Sequence, residues 1–399
     1  MMFSKRHAAR GALWLTLTLA ACHGGDEHDK PHTDDSTIDD TEPPADNDGD
    51  GYSAEEDCDD DNAAINPVAT ELCDLVDNNC DGAKDEQLAA CFYGADGSSA
   101  SLEDLLAAGV ESAPAEVPLS APGRLVLGAG EWFVSLRIAA DVTIEGAGPD
   151  QTTLSGGSLL SVFVVEDNPS TPYAVSLSRL NIVQGLGSEL HLGDARYPAG
   201  GALFCSSSAA SPTRVTITDL VVTETLAERG GVLYSSGCDV EVIDSTFTGV
   251  NENATTRTGG AMYLVNAKVS VSNVSITGFT ASQLAGGVYV DKESSLNIID
   301  SVLSENAAAS LGGNIYSLGP VVCEGSTTPA GIRGGVAEDG GGGVYLGDEL
   351  GATLTSTGCD WGSGGDDNSP DDVASDYFSG AQYSTESFTC DAYSGCAAL

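Results

Sequence analysis

Basic residues are scarce: fifteen Lys and Arg stand against sixty Asp and Glu, giving a formal net charge of −45 at pH 7. That balance excludes nucleic acid as a partner, because phosphate contacts need a basic surface. Histidine is equally sparse, with five in the chain and only His191 beyond residue 32. No Ser/His/Asp or Cys/His constellation can be assembled from so few. Long helical patterns are absent, and the single sizeable apolar run, near the N-terminus, falls short of the ~20 residues that a spanning helix needs. What remains is rich in Gly, Val, Thr and Ser, with forty-nine Gly. This composition predicts a mainly β fold with many turns.

Residues 1–21 join a basic head (Lys5, Arg6, His7, Arg10) to that apolar run, the pattern of a cleaved export signal. Leu19-Ala20-Ala21-Cys22 resembles a bacterial lipobox, and the resemblance implies lipidation of Cys22 and hence a membrane anchor without a spanning helix. His23 after the lipidated Cys points, by the same resemblance, to the outer membrane, so the expected location is the cell surface of a Gram-negative bacterium. Residues 22–45 are acidic, have no apolar period and read as a disordered tether. His23, His28 and His32 within it read as linker residues rather than as a metal site.

The next segment, 46–97, is expected to be a small disulfide-stapled metal module. Asp46, Asp48 and Asp50 alternate, Gly51 follows at the sixth position, Tyr52 can lend a backbone carbonyl at the seventh, and Asp57 stands at the twelfth. This is an EF-hand-like calcium spacing, in which alternate side chains converge on one point and a glycine permits the turn. A looser second copy offers Asp77, Asn79, Asp81, the carbonyl of Ala83, and Asp85 at the ninth position. Cys58, Cys73, Cys80 and Cys91 surround both copies and can pair in three ways. The ordered set DNDGDG, DCDD, INP, ELCD and DNNCDG resembles the metal-binding motif of MopE-type bacterial surface proteins, itself similar to thrombospondin type 3 calcium repeats. The resemblance implies cation binding. Calcium is the expected ion because the candidate ligands are hard oxygens, with copper, suggested by the family's name, as the weaker alternative.

Beyond Ser98, "SSASLEDLLAAG" predicts one short helix with a Ser cap and with Leu102, Leu105 and Leu106 at helical spacing. Gly-Gly pairs then recur at 200, 230, 259, 286, 312 and 342, each followed by apolar residues. Such a period means a stacked array of like units. A second pattern supplies two apolar rows, Leu177, Ile217, Val242, Val271, Ile298 and Leu354, and, five residues on, Ile182, Val222, Phe247, Ile276, Leu303 and Cys359. The repeats resemble those of right-handed parallel β-helices of the pectin-lyase-like type and of polymorphic outer-membrane proteins. The resemblance implies a right-handed parallel β-helix (a solenoid) over 98–389, capped by the helix near Leu105, with a C-terminal cap or tail at 390–399. The register predicts bridges Cys323–Cys359 and Cys205–Cys238, and Cys390–Cys396 completes the set.

Among the aromatics, Phe204, Tyr234, Tyr263 and Tyr316 share one offset after Gly-Gly, while Tyr289 and Tyr345 sit one residue earlier. An internal stack is the expectation, and an outward row that touches sugars is the alternative. The body's bases are expected to share no repeat position, and Asp360, Asp366, Asp367, Asp371 and Asp372 read as a closing turn. The expected function is therefore a non-catalytic, surface-exposed lipoprotein whose β-helix presents a protein- or glycan-binding face. The alternative is a carbohydrate-active enzyme, a polysaccharide lyase or glycoside hydrolase; no catalytic residue is assigned.

Overall fold

Alternation of side chains along short strands fixes the architecture. In Cys238–Ile243 (CDVEVI), Cys238, Val240 and Val242 are buried, while the residues between them are open to solvent to varying degrees. Each such strand therefore offers one face to a core and one to water. The computed structural model describes residues 45–192, 195–250, 256–326, 330–378, 380–383 and 387–399. The expected signal peptide, Cys22 and the tether up to residue 44 lie outside them. The described chain is mainly β, and a 28-stranded, mostly parallel sheet dominates it, as a solenoid requires.

Three ladders of strands run through the repeats. In the first, Gly123–Leu127, Val142–Gly146, Ala174–Val183, Thr213–Thr223, Cys238–Ile243, Lys268–Ser272, Ser295–Ile299, Pro320–Glu324 and Thr353–Thr357 pair successively in parallel. One buried row along it comprises Leu125, Ile144, Leu177, Ile217, Val242, Val271, Ile298 and Cys323. The second ladder carries Leu154, Ile182, Val222, Phe247, Ile276, Leu303 and Ile332 in register. The third stacks Leu136, Phe163, Leu203, Leu233, Met262, Val288, Ile315, Val344 and Val373. All three rows belong to one core cluster.

The corner between the first two ladders is a left-handed residue in five successive repeats: Arg179, Asp219, Asp244, Asn273 and Asp300 have φ from 46° to 60°. Asp and Asn tolerate this conformation better than most side chains, which is why acidic and amide residues recur there. The expected rows hold as far as Ile298 and Leu303 and then slip. Cys323, not Leu354, follows Ile298, and its own partner is Ser356. Gly331 pairs with Asp360, which sets Trp361 rather than Cys359 beside Ile332. A polar end to the first row is accommodated because Ser356 Oγ accepts a hydrogen bond from Trp361 Nε1 at 3.0 Å.

The Gly-Gly register also needs correction. Ala285, with φ 57°, occupies the left-handed position held by Gly200, Gly230, Gly259, Gly312 and Gly341, so the pairs at 286 and 342 stand one residue late. Once this is corrected, the six aromatics fall into a single row. Phe204, Tyr234, Tyr263, Tyr289, Tyr316 and Tyr345 are direct register partners. They alternate with core residues such as Leu203 and Cys205 and therefore lie on the sheet face away from the core cluster, where Tyr234 and Tyr345 are buried and the other four half-buried, so the expected stack forms but outside that cluster.

Antiparallel strands cover both edges of the first ladder. Ala90–Gly94 pairs with Gly123–Leu127 and carries Ser99–Ser101 on its other side. Phe388–Asp391 pairs with Thr353–Thr357, and Gly395–Ala398 follows it. Open strand edges are thereby paired rather than left as templates for association. The helix is shorter than predicted, Glu103–Ala107 with Leu102 at its N-cap, and the Ser101 hydroxyl accepts only from the Glu103 N–H. Through Leu106, fully buried in the core, the helix packs on the body, whereas Leu105 is 56% exposed.

Candidate metal centre

The loop from Asp46 to Tyr52 wraps by backbone-to-carboxylate hydrogen bonds. Asp46 accepts from Gly49 N at 2.7 Å and Gly51 N at 3.1 Å, Asp48 from Asp50 N at 3.1 Å, and Asp50 from Tyr52 N at 2.9 Å. Gly51 has φ 104°, the positive value that the sixth position demands and that a side chain would resist. These bonds turn the carboxylates of Asp46, Asp48 and Asp50 inward until oxygens of all three lie within 4.8 Å of one another. Asn66 Nδ2 holds the other oxygen of Asp50 at 2.8 Å.

Asp57, the expected twelfth ligand, is 7% exposed and accepts from Asp59 N at 2.8 Å through Oδ1. Its Oδ2 is buried without a partner, as are Asp48 Oδ2 and Asp60 Oδ2. Asp60 accepts from Asn47 N at 3.2 Å through its other oxygen, which places it at the start of the same loop. The Asp48 carboxyl is held above the usual carboxylate range, first by desolvation and then by the negative charges of Asp50, Asp57 and Asp46, against a backbone hydrogen bond from Asp50. Buried carboxylate oxygens without donors, beside like charges, are costly unless a cation joins them. The donor set therefore fits a hard divalent ion.

The second loop repeats the local pattern of the first. Asp77 accepts from Asp81 N at 3.2 Å and Gly82 N at 2.9 Å, Asn79 from Asp81 N at 3.0 Å, and Asp81 from Ala83 N at 2.9 Å. Gly82, with φ 94°, matches Gly51. Asp85 is engaged elsewhere: it accepts from the N–H groups of Asp74 and Leu75 and from the Tyr93 hydroxyl, the last at 2.6 Å. Glu86, which sequence reasoning missed, reaches Asn79 Nδ2 at 2.6 Å and leaves Oε2 buried without a partner. Among the described residues, no three carboxylates of this loop gather within 4.8 Å as those of the first do.

The open choice of bridges resolves as Cys58–Cys80 and Cys73–Cys91, with Cα separations of 5.6 and 5.4 Å. Cys58, Cys80 and Asp57 also lie within 4.8 Å of one another. Because both sulfurs are committed to the bridge, they offer no thiolate to a soft metal. The other three bridges form as expected, Cys205–Cys238, Cys323–Cys359 and Cys390–Cys396. The Cys323–Cys359 pair forms although the two are not register partners, so the expected bond is present while the reason given for it fails.

Elsewhere, the aromatic row stacks with ring centroids 4.5 to 5.9 Å apart. Ring faces so stacked cover one another, which leaves edges and hydroxyls to any ligand. The closing turn is structural: Asp360 pairs with Arg333 at 3.0 Å, Asp366 accepts from Ser363 N at 3.0 Å, and Asp372 is fully buried beside Asn368. His191 is exposed on the hairpin Ser188–Leu192 and Ala195–Ala199.

Two bases do share a repeat position. Arg214 pairs with Asp239, and Asp239 stands beside Lys268 because Val240 pairs with Val269. Together with Glu241 and Asn297 they line an open cleft of about 250 Å³. A family model described as "Putative metal-binding motif", of the MopE type, matches residues 57–86. No curated protein and no solved structure matches the chain. The matched stretch takes in Asp57, the Cys58–Cys80 bridge and the second loop, and by its description the chain resembles that family through a metal-binding module.

Proposed function

We propose that the protein is an exported lipoprotein, anchored through Cys22 at the surface of a Gram-negative outer membrane. A calcium-binding module at 46–97 then joins the anchor to a non-catalytic right-handed parallel β-helix that presents a protein- or glycan-binding face. The observation that carries the metal reading is the convergence of Asp46, Asp48 and Asp50 with buried, partnerless oxygens on Asp48 and Asp57. Hard oxygens and disulfide-bound sulfurs favour calcium over copper. Asp46, Asp48, Asp50 and Asp57 would hold the ion, with the Tyr52 carbonyl completing the loop. Asp77, Asn79, Asp81 and the Ala83 carbonyl, with Asp85 or Glu86, would hold a weaker second one.

Calorimetric titration of the full mature chain with Ca²⁺, Mg²⁺ and Cu²⁺ tests this. Saturable Ca²⁺ binding is expected, and its absence at millimolar Ca²⁺ overturns the module's role. Labelled palmitate should be incorporated by the wild type and lost in Cys22→Ala. A second reading, a carbohydrate-active enzyme, is favoured by the cleft in which Arg214 and Lys268 flank Asp239 and Glu241. A base beside carboxylates is what proton abstraction from an acidic sugar would use. Activity on acidic polysaccharides that disappears in Lys268→Ala and Asp239→Asn would establish it in place of the first.

A further inference from the structure

Among the described residues of the body, every Arg and Lys except Arg214, Arg229 and Lys268 lies within 4 Å of a carboxylate. Arg229 lies against the rings of Tyr197 and Tyr263, but Arg214 and Lys268 are exposed and stand two rungs apart in one row, with Asp239 between them. Asp239 Oδ1 accepts the Lys268 backbone N–H at 3.2 Å, while the Lys268 ammonium lies beyond 4 Å of that carboxylate. A ligand anion that meets this ammonium therefore gains a charge-assisted hydrogen bond without displacing an ion pair of the protein.

Lys268 borders a notch made by unequal turns. The strand Cys238–Ile243 is entered through Gly237 alone and Lys268–Ser272 through Asn266 and Ala267, whereas Thr213–Thr223 and Ser295–Ile299 on either side are entered by longer loops, 207–212 and 291–294. Three rungs separate those loops, about 14 Å at the ordinary strand spacing, and between them opens a notch of about 220 Å³. Ala209, Ala210 and Pro212 line it from one loop and Glu293 from the other, with Asp239 and Lys268 where it meets the sheet. Both loops are tied down: Asp167 accepts from Ser208 N at 2.7 Å, and Asp291 from Glu293 N at 3.1 Å and Asn266 N at 3.2 Å. Walls fixed in advance spare a ligand the cost of ordering them. Glu293 has Lys292 at 3.9 Å, but both are more than half exposed and the pair is too loose to neutralise it.

The charges select among ligands. A polyanion meets the repulsion of a chain with net charge −45, and a neutral sugar leaves Lys268 unanswered. An α-amino acid is neutral overall and carries both signs a few ångströms apart. We propose that the notch binds a free α-amino acid with an apolar side chain, its carboxylate on Lys268, its ammonium between Asp239 and Glu293, and its side chain against Ala209, Ala210 and Pro212. The site shares Asp239 and Lys268 with the cleft of the second reading above, but it calls for neither a glycan nor calcium.

Leucine, isopentylamine, isocaproate and tetragalacturonate are the probes, titrated calorimetrically into the full mature chain. Leucine is expected to bind at least tenfold more tightly than the amine, which lacks its carboxylate, or the acid, which lacks its ammonium. Lys268→Gln and Asp239→Asn should each weaken leucine at least tenfold while leaving Ca²⁺ binding intact. Asp239→Asn keeps an oxygen for the Lys268 N–H, so the test stays valid if the start of that strand depends on this bond. Equal binding of leucine and either analogue overturns recognition of both charges, and tighter binding of tetragalacturonate overturns the choice of an amino acid over an acidic glycan. Failure of leucine to bind at about 10 mM overturns the site and leaves the calcium reading standing.

Discussion

Tyr263 and Tyr289 stack with ring centroids 4.5 Å apart across the one step of the repeat where alanine, not glycine, takes the left-handed turn. Ala285 stands where Gly259 and Gly312 stand in the neighbouring repeats, and all three lie at φ between 57° and 71°. A side chain in that region is disfavoured by roughly 1–2 kcal/mol. Ala285→Gly should therefore stabilise the body by about 1 kcal/mol, less the entropy that glycine adds to the unfolded chain. Gly230→Ala should destabilise by about 1–3 kcal/mol, because its new Cβ would clash with the Leu233 carbonyl oxygen. Urea midpoints of the two variants, moving in opposite directions, check the register.

The metal loop predicts an effect that changes sign with calcium. Asp57→Asn removes one of four like charges and a carboxylate oxygen without a donor, so without metal the variant should be the more stable protein. With calcium the order should reverse, because the variant has lost a ligand and about tenfold or more in affinity. Melting temperatures with chelator and with saturating Ca²⁺ measure both halves, and a variant less stable in both conditions argues against a cation site at Asp57.

Cys58→Ser with Cys80→Ser opens a bridge of sequence separation 22. Chain entropy places the loss at about 3 kcal/mol, confined to the segment the bridge closes. Hydrogen exchange should rise around Asp46–Asp85 while the strand Lys268–Ser272 stays protected. Calcium affinity should fall in parallel, because Asp57 adjoins Cys58.

Asp372 predicts a pH dependence of known sign. Burial pushes its carboxyl up to about 6, against hydrogen bonds from Tyr383 N and Asn368 Nδ2 that pull it down. The folded value is above the ordinary 3.8, so between about pH 4 and 6 the folded protein binds more protons than the unfolded chain. Stability from this group is thus greatest at low pH and is lost as pH rises through about 6, for a total of roughly 3 kcal/mol. Asp372→Asn should remove that slope. Denaturation at pH 5 and pH 7 should show wild type gaining relative to the variant on acidification, with other titrating groups cancelling in the comparison.

Much of the fold was legible because glycine pairs recur every 26 to 30 residues and the two apolar rows from Leu177 to Leu303 keep a constant offset of five. The slip after Ile298 was not, because Cys323 and Ser356 fill inward positions that elsewhere hold Leu, Ile or Val. The orientation of the aromatic row was hidden by strands such as Val288–Val290, where a tyrosine lies between two valines and apolarity does not mark the inner face. The shared position of Arg214 and Lys268 emerges only once unequal repeat lengths are aligned. In the metal segment the first loop was readable from residue type alone. The turning away of Asp85 was not, because it depends on Tyr93, a residue of the edge strand Ala90–Gly94.

The two bridges of the metal segment interleave: Cys73 lies between Cys58 and Cys80, and Cys80 lies between Cys73 and Cys91. Tension applied at Asp46 therefore meets covalent shortcuts before it can straighten residues 58–91. It is delivered at Cys91, inside a strand held in register by Val126 and Ser101. Loaded this way, the covalent path runs from Cys58 to Cys80, back through Asn79 and Asp77 to Cys73 and across to Cys91, so residues 81–90 would be slack while the first half of the second loop and the edge strand bore the force.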